Sequence, residues 1–228
     1  MSNGPLIGTL QEGSLHASLK DLYMTDNARA EVVVEGYVVD VVKDNLLIEI
    51  QTRNFAAIKD KLRALMKNHL VRLVHPLPKM KWIVRETANS ETELSRRLSP
   101  KRCGFENIFD ELVRIPSFIA HSNFSLEVLL IEEEEIRHQD GKGSWRRKGW
   151  SIVDRRLLRI IDRRLYETPT DFLHFIPDSL EKPFKTSNLA EALGISRRLC
   201  QRLTYCLRMM KALKKVGKDG NAILHDVM

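Results

Sequence analysis

The chain has 228 residues, of which 43% are hydrophobic and 29% charged. That is length enough for one large domain or two to three small ones, and no stretch is apolar for long enough to span a bilayer. Lys and Arg number 37 against 30 Asp and Glu, a formal charge of +7 with a pI near 9.4, which makes a polyanion a fitting partner. Three cysteines, Cys103, Cys200 and Cys206, are an odd number without CxxC spacing. This argues against a disulfide framework and against a zinc site, and the three are expected as packed thiols. The opening segment, MSNGPLIGTLQEG, lacks a basic run followed by a long apolar core, so no secretory signal is read there and a cytoplasmic location without membrane association is expected.

In chain order, EGSLHASLKDLY (12–23) repeats Leu15, Leu19 and Leu22 at the spacing of a helix with one buried stripe, and Glu12 lies at its edge. ARAEVVVEGYVVDVV and NLLIEIQ are rich in Val and Ile and are broken at Glu35-Gly36 and at 43–45, which predicts a meander of three strands. Asn54 is positioned to cap the next helix, FAAIKDKLRALMKNH, whose Phe55, Ile58, Leu62, Leu65 and Met66 share a face. VRLVHPL predicts a short strand stopped by Pro76 and Pro78, and KWIVR predicts another. The polar segment 86–102 has no clear period and predicts a domain boundary near residue 95. FENIFDELVRI reads as a helix and SLEVLLIEEEEIR as a long strand with an acidic end, whereas 151–165 suits either a helix or a strand. A stretch punctuated by Pro169, Pro177 and Pro183 leads to a C-terminal segment of different character. The expected organisation is therefore an α/β chain, an α+β mixed sheet in units 1–95, 96–180 and 181–228.

LIEIQT (47–52) places Glu49 and Gln51 on one face of an otherwise apolar strand. If the preceding turn takes two residues, Lys43-Asp44, or four, 42–45, then position 40 pairs with position 47 and Asp40 shares that face. A three-residue turn would put Asp40 opposite Ile48, on the other side. Carboxylates gathered in an apolar setting repel and lose hydration, at roughly several kcal/mol, unless a cation sits between them. Mg²⁺ accepts one or two carboxylates together with waters and a substrate phosphate. The plainer reading leaves Asp40 at a strand end in solvent, Glu49 and Gln51 on an exposed face and Glu12 as an acid favoured by a helix dipole. His16, one turn after Glu12 on the same side, is placed to touch the site but reads more readily as a partly exposed helix histidine, and His75 reads as a strand-end residue.

Asp40, then Glu49-Ile50-Gln51 on the next strand, with a helix bearing Glu12 before them and the helix from Asn54 after, resembles the core of PD-(D/E)XK nucleases, the superfamily of restriction endonucleases and Holliday junction resolvases. The resemblance covers residues 10–85. It implies a restriction-endonuclease-like αβββαβ core and Mg²⁺-dependent hydrolysis of DNA phosphodiesters, with Mn²⁺ able to substitute. It further implies Asp40, Glu49 and the main-chain carbonyl of Ile50 as metal ligands, with Glu12 reaching the metal or its water. The sequence departs from the pattern at Gln51, where the family usually carries lysine: an amide can orient a water but supplies no positive charge. Lys61 and Lys59, on the following helix, are placed to substitute, and Lys61 is the preferred candidate.

KTSNLAEALGISRRLCQRLTYCLRMMKAL contains a short helix, a turn at Gly194 and a second helix that Ser196 can cap, the spacing of a helix-turn-helix. Leu199, Leu203, Leu207 and Met210 form its inner stripe, leaving Arg197, Arg198, Gln201, Arg202 and Tyr205 outward, and Arg and Gln are the side chains that pair with guanine and adenine edges. ALKKVGKDGNAILHDV then predicts a hairpin with Lys218 at its tip, completing a winged helix over 184–226. WRRKGW adds Arg146, Arg147 and Lys148 between two tryptophans as auxiliary phosphate contacts, and the acidic run 132–135 is able to pair with the basic middle of the chain. The expectation is a metal-dependent DNA endonuclease positioned on DNA by a C-terminal winged helix. The alternative is a non-enzymatic DNA-binding regulator with a degenerate nuclease fold. Cutting both strands takes two sites, so a homodimer is expected from the task rather than from any residue.

Overall fold

The computed structural model describes residues 13–86 and 93–228, so Glu12 lies outside the described residues. Helix α1 (Ser14–Asp21) leads into the meander of β1 (Ala28–Val34), β2 (Tyr37–Lys43) and β3 (Leu46–Ile50). A 3-10 turn at Phe55–Ile58 then runs into α2 (Lys59–Leu65). Strands β4 (Leu70–Glu86) and β5 (Glu93–Leu98), the short α3 (Phe109–Leu112), and the long β6 (Phe124–Gln139) and β7 (Trp150–Tyr166) follow. The C-terminal module comprises β8 (Phe184–Lys185), α4 (Thr186–Leu193), α5 (Arg197–Met209), β9 (Leu213–Asp219) and β10 (Ala222–Val227).

Seven strands make one mixed sheet in the order β1-β2-β3-β4-β6-β7, with β5 hung on β4. β3, β4 and β6 run parallel, while β2 and β7 are antiparallel to their neighbours. The fold is thus α/β with a large mixed sheet, and its middle strands read as apolar runs because both faces are covered. On one face α1 buries Leu15 and Leu19 against Val41, Ile48, Ile50, Val74, Leu129 and Ile131. On the other, a larger core joins Phe55, Leu62, Leu65, Leu47 and Leu73 to Phe109, Phe172, Leu199, Leu203 and Leu207. Each fully buried Leu or Phe contributes about 1.5–3 kcal/mol, so this second face holds most of the packing energy.

Several expectations change. Leu22 does not complete the stripe of α1 but is exposed. Asn54 adopts a left-handed φ of +58 without a side-chain cap, and the helix begins as a 3-10 turn. Pro76 and Pro78 do not stop a strand: the two predicted strands are one, β4. Residues of even number in β4 turn their backbone groups toward β3, as Gln51 N–H donating to Val74 O shows, and β3 has ended by then. The prolines' missing donors therefore fall on an unpaired stretch, before β5 begins pairing at Trp82. Within the polar segment 86–102, Glu93–Leu98 forms β5 and pairs with β4. Residues 151–165 are strand, with three bulges interrupting the β6–β7 ladder.

Candidate active site

Strands β2 and β3 join through a two-residue turn at Asp44-Asn45, with Val41↔Ile48, Val42↔Leu47 and Lys43↔Leu46 paired. The turn sits one residue later than either alternative considered, so in this register Asp40 comes opposite Glu49 rather than Leu47. The shift is by two, which is why the side expected for Asp40 survives. Across the other edge of β2, between the pairs Ala30↔Val41 and Val32↔Val39, Glu31 faces Asp40 with φ of +54. A non-glycine residue there stores strain beside the candidate site. Lys20 of α1 holds its carboxylate at 3.0 Å.

Beyond Val41↔Ile48 the space between the strands is bridged by side chains. Asp40 Oδ2 accepts the Ile50 N–H at 2.7 Å. His16, on the inward face of α1, donates through Nε2 to Ile50 O at 3.0 Å and lies 3.3 Å from the same Asp40 oxygen. Glu49 is only 3% exposed. From α2, Lys61 extends back over the sheet, its Nζ 2.6 Å from each Glu49 oxygen and 2.6 Å from Val38 O. Oε2 takes the hydrogen bond, and Oε1 meets the ammonium as an ion pair without hydrogen-bond direction. One cation and one imidazole thus bracket two carboxylates from adjacent strands.

Burial drives the Glu49 carboxyl up to about 7, with the Asp40 charge adding to the rise and the Lys61 ammonium opposing it. Burial also pushes Asp40 upward, but the hydrogen bonds from His16 and the Ile50 amide, with the His16 and Lys61 charges, outweigh it and leave this carboxyl below its ordinary value. Two acids opposite each other on β2 and β3 are so pushed in opposite directions, a pattern found where acid–base or ligand roles diverge.

Gln51 does not join the group. Its Nε2 donates to Arg53 O at 2.5 Å and Asn54 O at 3.2 Å, closing the loop before α2. His75 is not a strand-end residue but is buried under that loop. A carbonyl can only accept, so its Nδ1 carries the proton donated to Gln51 O at 2.5 Å, and burial lowers its pKa. The ring lies edge-on to Phe55. Asp154 of β7 accepts from Ser14 N at 3.1 Å and from Ser14 Oγ at 2.5 Å, fixing the start of α1 and thereby the place of His16. No local pattern in the sequence signals a contact spanning that distance.

Among the described residues, no trio of His, Cys, Asp and Glu side chains gathers as a metal site. Two carboxylates and a carbonyl are nonetheless hard oxygen donors of the kind Mg²⁺ takes when waters and substrate complete its shell, and the buried Glu49 Oε1 lacks a directed hydrogen bond. In chemistry the donors fit. A cation entering there would exchange contacts with Lys61 and His16.

In the C-terminal module, Ser196 caps α5 by accepting from Leu199 N–H at 3.2 Å, and Gly194 makes the turn with φ of +63. Arg197, Arg198, Gln201, Tyr205 and Lys218 are exposed. Arg202 departs from the expectation: it is half-buried and ion-paired with Asp110 of α3, docking α5 onto the rest of the chain. The hairpin turns at Gly220-Asn221, so Lys218 pairs with Ile223 in the ladder rather than sitting at the tip. Arg146 and Lys148 are exposed at the β6–β7 tip beside Trp145, which is 82% exposed, while Arg147 Nε is engaged by Trp150 O at 3.1 Å. The acidic run pairs with Arg155 and Arg159 of the basic middle and with Lys81, Arg96 and Arg137 outside it.

Fold and site together define an α/β protein with a carboxylate–lysine–histidine cluster where two strands part. Residues 13–167 match the family described as Domain of unknown function (DUF8091), and the chain belongs to that family. It is also 31% identical over 186 residues to an uncharacterized protein of Treponema pallidum (strain Nichols), an alignment covering 81% of this chain and 74% of the relative. No solved structure matches. Among the described residues no helix is long and apolar enough to cross a membrane.

Proposed function

We propose that the protein is a metal-dependent endonuclease that hydrolyses DNA phosphodiesters and is held on its substrate by a winged helix formed by α4, α5 and the β9–β10 hairpin. The observation that carries this reading is the Glu49–Lys61 contact across from Asp40, with the lysine delivered from the helix after the strand where Gln51 fails to supply charge. Asp40, Glu49 and the Ile50 carbonyl would hold Mg²⁺ or Mn²⁺, which lowers the pKa of a bound water and neutralises charge gathering on the phosphate. Lys61 is close enough to Glu49 to share that electrostatic task when a scissile phosphate lies above the carboxylates. His16 and the Ile50 amide keep Asp40 ionised and oriented. The reaction is attack of water on phosphorus with departure of the 3′ oxygen, leaving a 5′-phosphate. The resemblance to PD-(D/E)XK nucleases supports this reading through the shared αβββαβ order.

A second reading, a DNA-binding regulator on a silent nuclease fold, is favoured by the Lys61–Glu49 ion pair and by the turned-away Gln51. Plasmid nicking in Mg²⁺ or Mn²⁺ separates the two. Wild type should nick, and Asp40→Asn, Glu49→Gln and Lys61→Ala should each lose at least about a hundredfold in rate while still shifting DNA in a gel. Binding without nicking by wild type would establish the regulator. Nicking untouched by Asp40→Asn would remove this site from the chemistry.

A further inference from the structure

A cavity of about 290 Å³ opens between the start of α4, one side of α5 and β10. It sits at the small end of ligand clefts, which run from roughly 300 Å³ upward. Lys185, Arg197 and Arg208 line it together with the hydroxyls of Thr186 and Thr204 and the ring of His225, and no carboxylate contributes to its wall. Arg197, Thr204 and Arg208 follow one another along one side of α5, which is how a helix brings them to a single opening.

Two features suit this opening to an anion rather than to a closed packing seam. The start of the eight-residue α4, where Lys185 gives no side-chain cap and Asn188 Oδ1 accepts the Lys185 N–H at 3.0 Å, borders the opening through Lys185, Thr186 and Ser187, so the positive end of the helix dipole lies beside it. His225 is 1% exposed, and its Nδ1 is buried without a hydrogen-bond partner, as is Arg208 Nε. Those two atoms have almost no accessible surface, so they lie behind the wall of the cavity and are not contacts for its occupant. The hydroxyls are loosely engaged: Thr186 Oγ1 is 3.3 Å from both Thr204 Oγ1 and His225 Nε2, well beyond the usual length for a hydroxyl hydrogen bond. Asp219 pairs with Lys185 from the hairpin side and takes up part of one charge, leaving the two arginines as the main cations.

We propose that this cavity binds a phosphate dianion, either free or at the end of a small phosphomonoester. Guanidinium groups match phosphate oxygens in paired geometry, and hydroxyls with helix amides fill the remaining directions. A duplex backbone is a poor occupant, because Thr204 and His225 are buried beyond the reach of a phosphate fixed in a rigid chain. The site stands apart from Asp40 and Glu49, and the proposal does not depend on the hydrolase reading.

The test is calorimetric titration of the full chain, at constant ionic strength, with inorganic phosphate, adenosine 5′-monophosphate and adenosine. Saturable binding of phosphate or the monophosphate, with none of adenosine, is expected. Arg208→Gln should weaken it at least about tenfold, as should Thr204→Val, which keeps the side-chain shape if the arginine variant misfolds. Lys67→Ala, on an exposed loop, should bind as wild type. Absence of saturable heat from both phosphates, equal binding of adenosine, or binding that neither Arg208→Gln nor Thr204→Val weakens would overturn the assignment.

Discussion

Glu49 and Lys61 make the sharpest claim at the scale of single residues. The carboxyl titrates at about 7 in the fold against an ordinary 4.5, so the fold favours its protonated form. That preference contributes stability in full below about pH 4.5 and loses it as pH rises through about 7. Asp40 runs the other way: held below 3.8, it contributes stability above that pH, which is lost as pH falls through its lower folded value. Between these limits Asp40 is ionised while Glu49 is largely protonated, and a cation that needs both charges gains its site as pH climbs through about 7. Carbon-detected NMR of the Glu49 carboxyl should give a midpoint near 7. In Lys61→Met it should move upward by about one unit or more, since the opposing ammonium is gone. A midpoint at the ordinary value would show that the carboxyl is better solvated than its burial implies. Asp40, Glu49 and Lys61 were legible because acids interrupt apolar strands and a lysine flanks the inward side of the next helix. His16 was legible only as a neighbour of the site, since one histidine on an amphipathic helix looks the same whether it faces solvent or an acid. Gln51 misled because alternation fixes a side, not a rotamer, and at a strand end the rotamer followed the loop carbonyls.

Among the elements, α1 depends on a cap that its own sequence lacks. Gly13 offers no side chain, and Asp154 of β7 supplies the acceptor for Ser14. Asp154→Ala should lower stability by about 1 kcal/mol, the usual worth of an N-cap, read as a lower urea midpoint with an unchanged slope. A loss of under a few tenths would show the tether idle. The same distant logic explains which elements the sequence disclosed. The meander appeared because each strand is short and its turns carry Glu35-Gly36 and Asp44 in left-handed conformations. β7 stayed ambiguous because each of its three bulges moves later side chains to the other face, and no single period survives. β4 was split because its prolines were judged by residue type, whereas their tolerance depends on where β3 stops.

For the whole molecule, the second core face is continuous. Phe55 and Leu62 beneath the sheet belong to the same cluster as Leu199, Leu203 and Met210 of the C-terminal module, with Phe109 and Phe172 between them. Arg202 and Asp110 reinforce the join. Unfolding should therefore be cooperative: fluorescence from Trp82, Trp145 and Trp150, all in or beside the sheet, and helical ellipticity, much of it from α4 and α5, should fall along one curve. Two separated midpoints would mean that the module folds by itself. Composition and motifs marked out the module but not its docking, since a stripe of Leu on α5 does not say what it packs against.

Pro76 and Pro78 have a further effect beyond being tolerated. Where β3 has ended and β5 has not begun, β4 has no strand on one flank, and the chain covers that flank itself: Pro76 is buried and the Cys103 N–H is donated to Pro78 O at 3.3 Å. Alternate donors there are missing, so a loop that needs only to donate closes the gap where a strand would find half of its ladder absent. The break in the sheet is thereby sealed by a loop from within the chain, at the two residues that seemed to forbid a strand altogether.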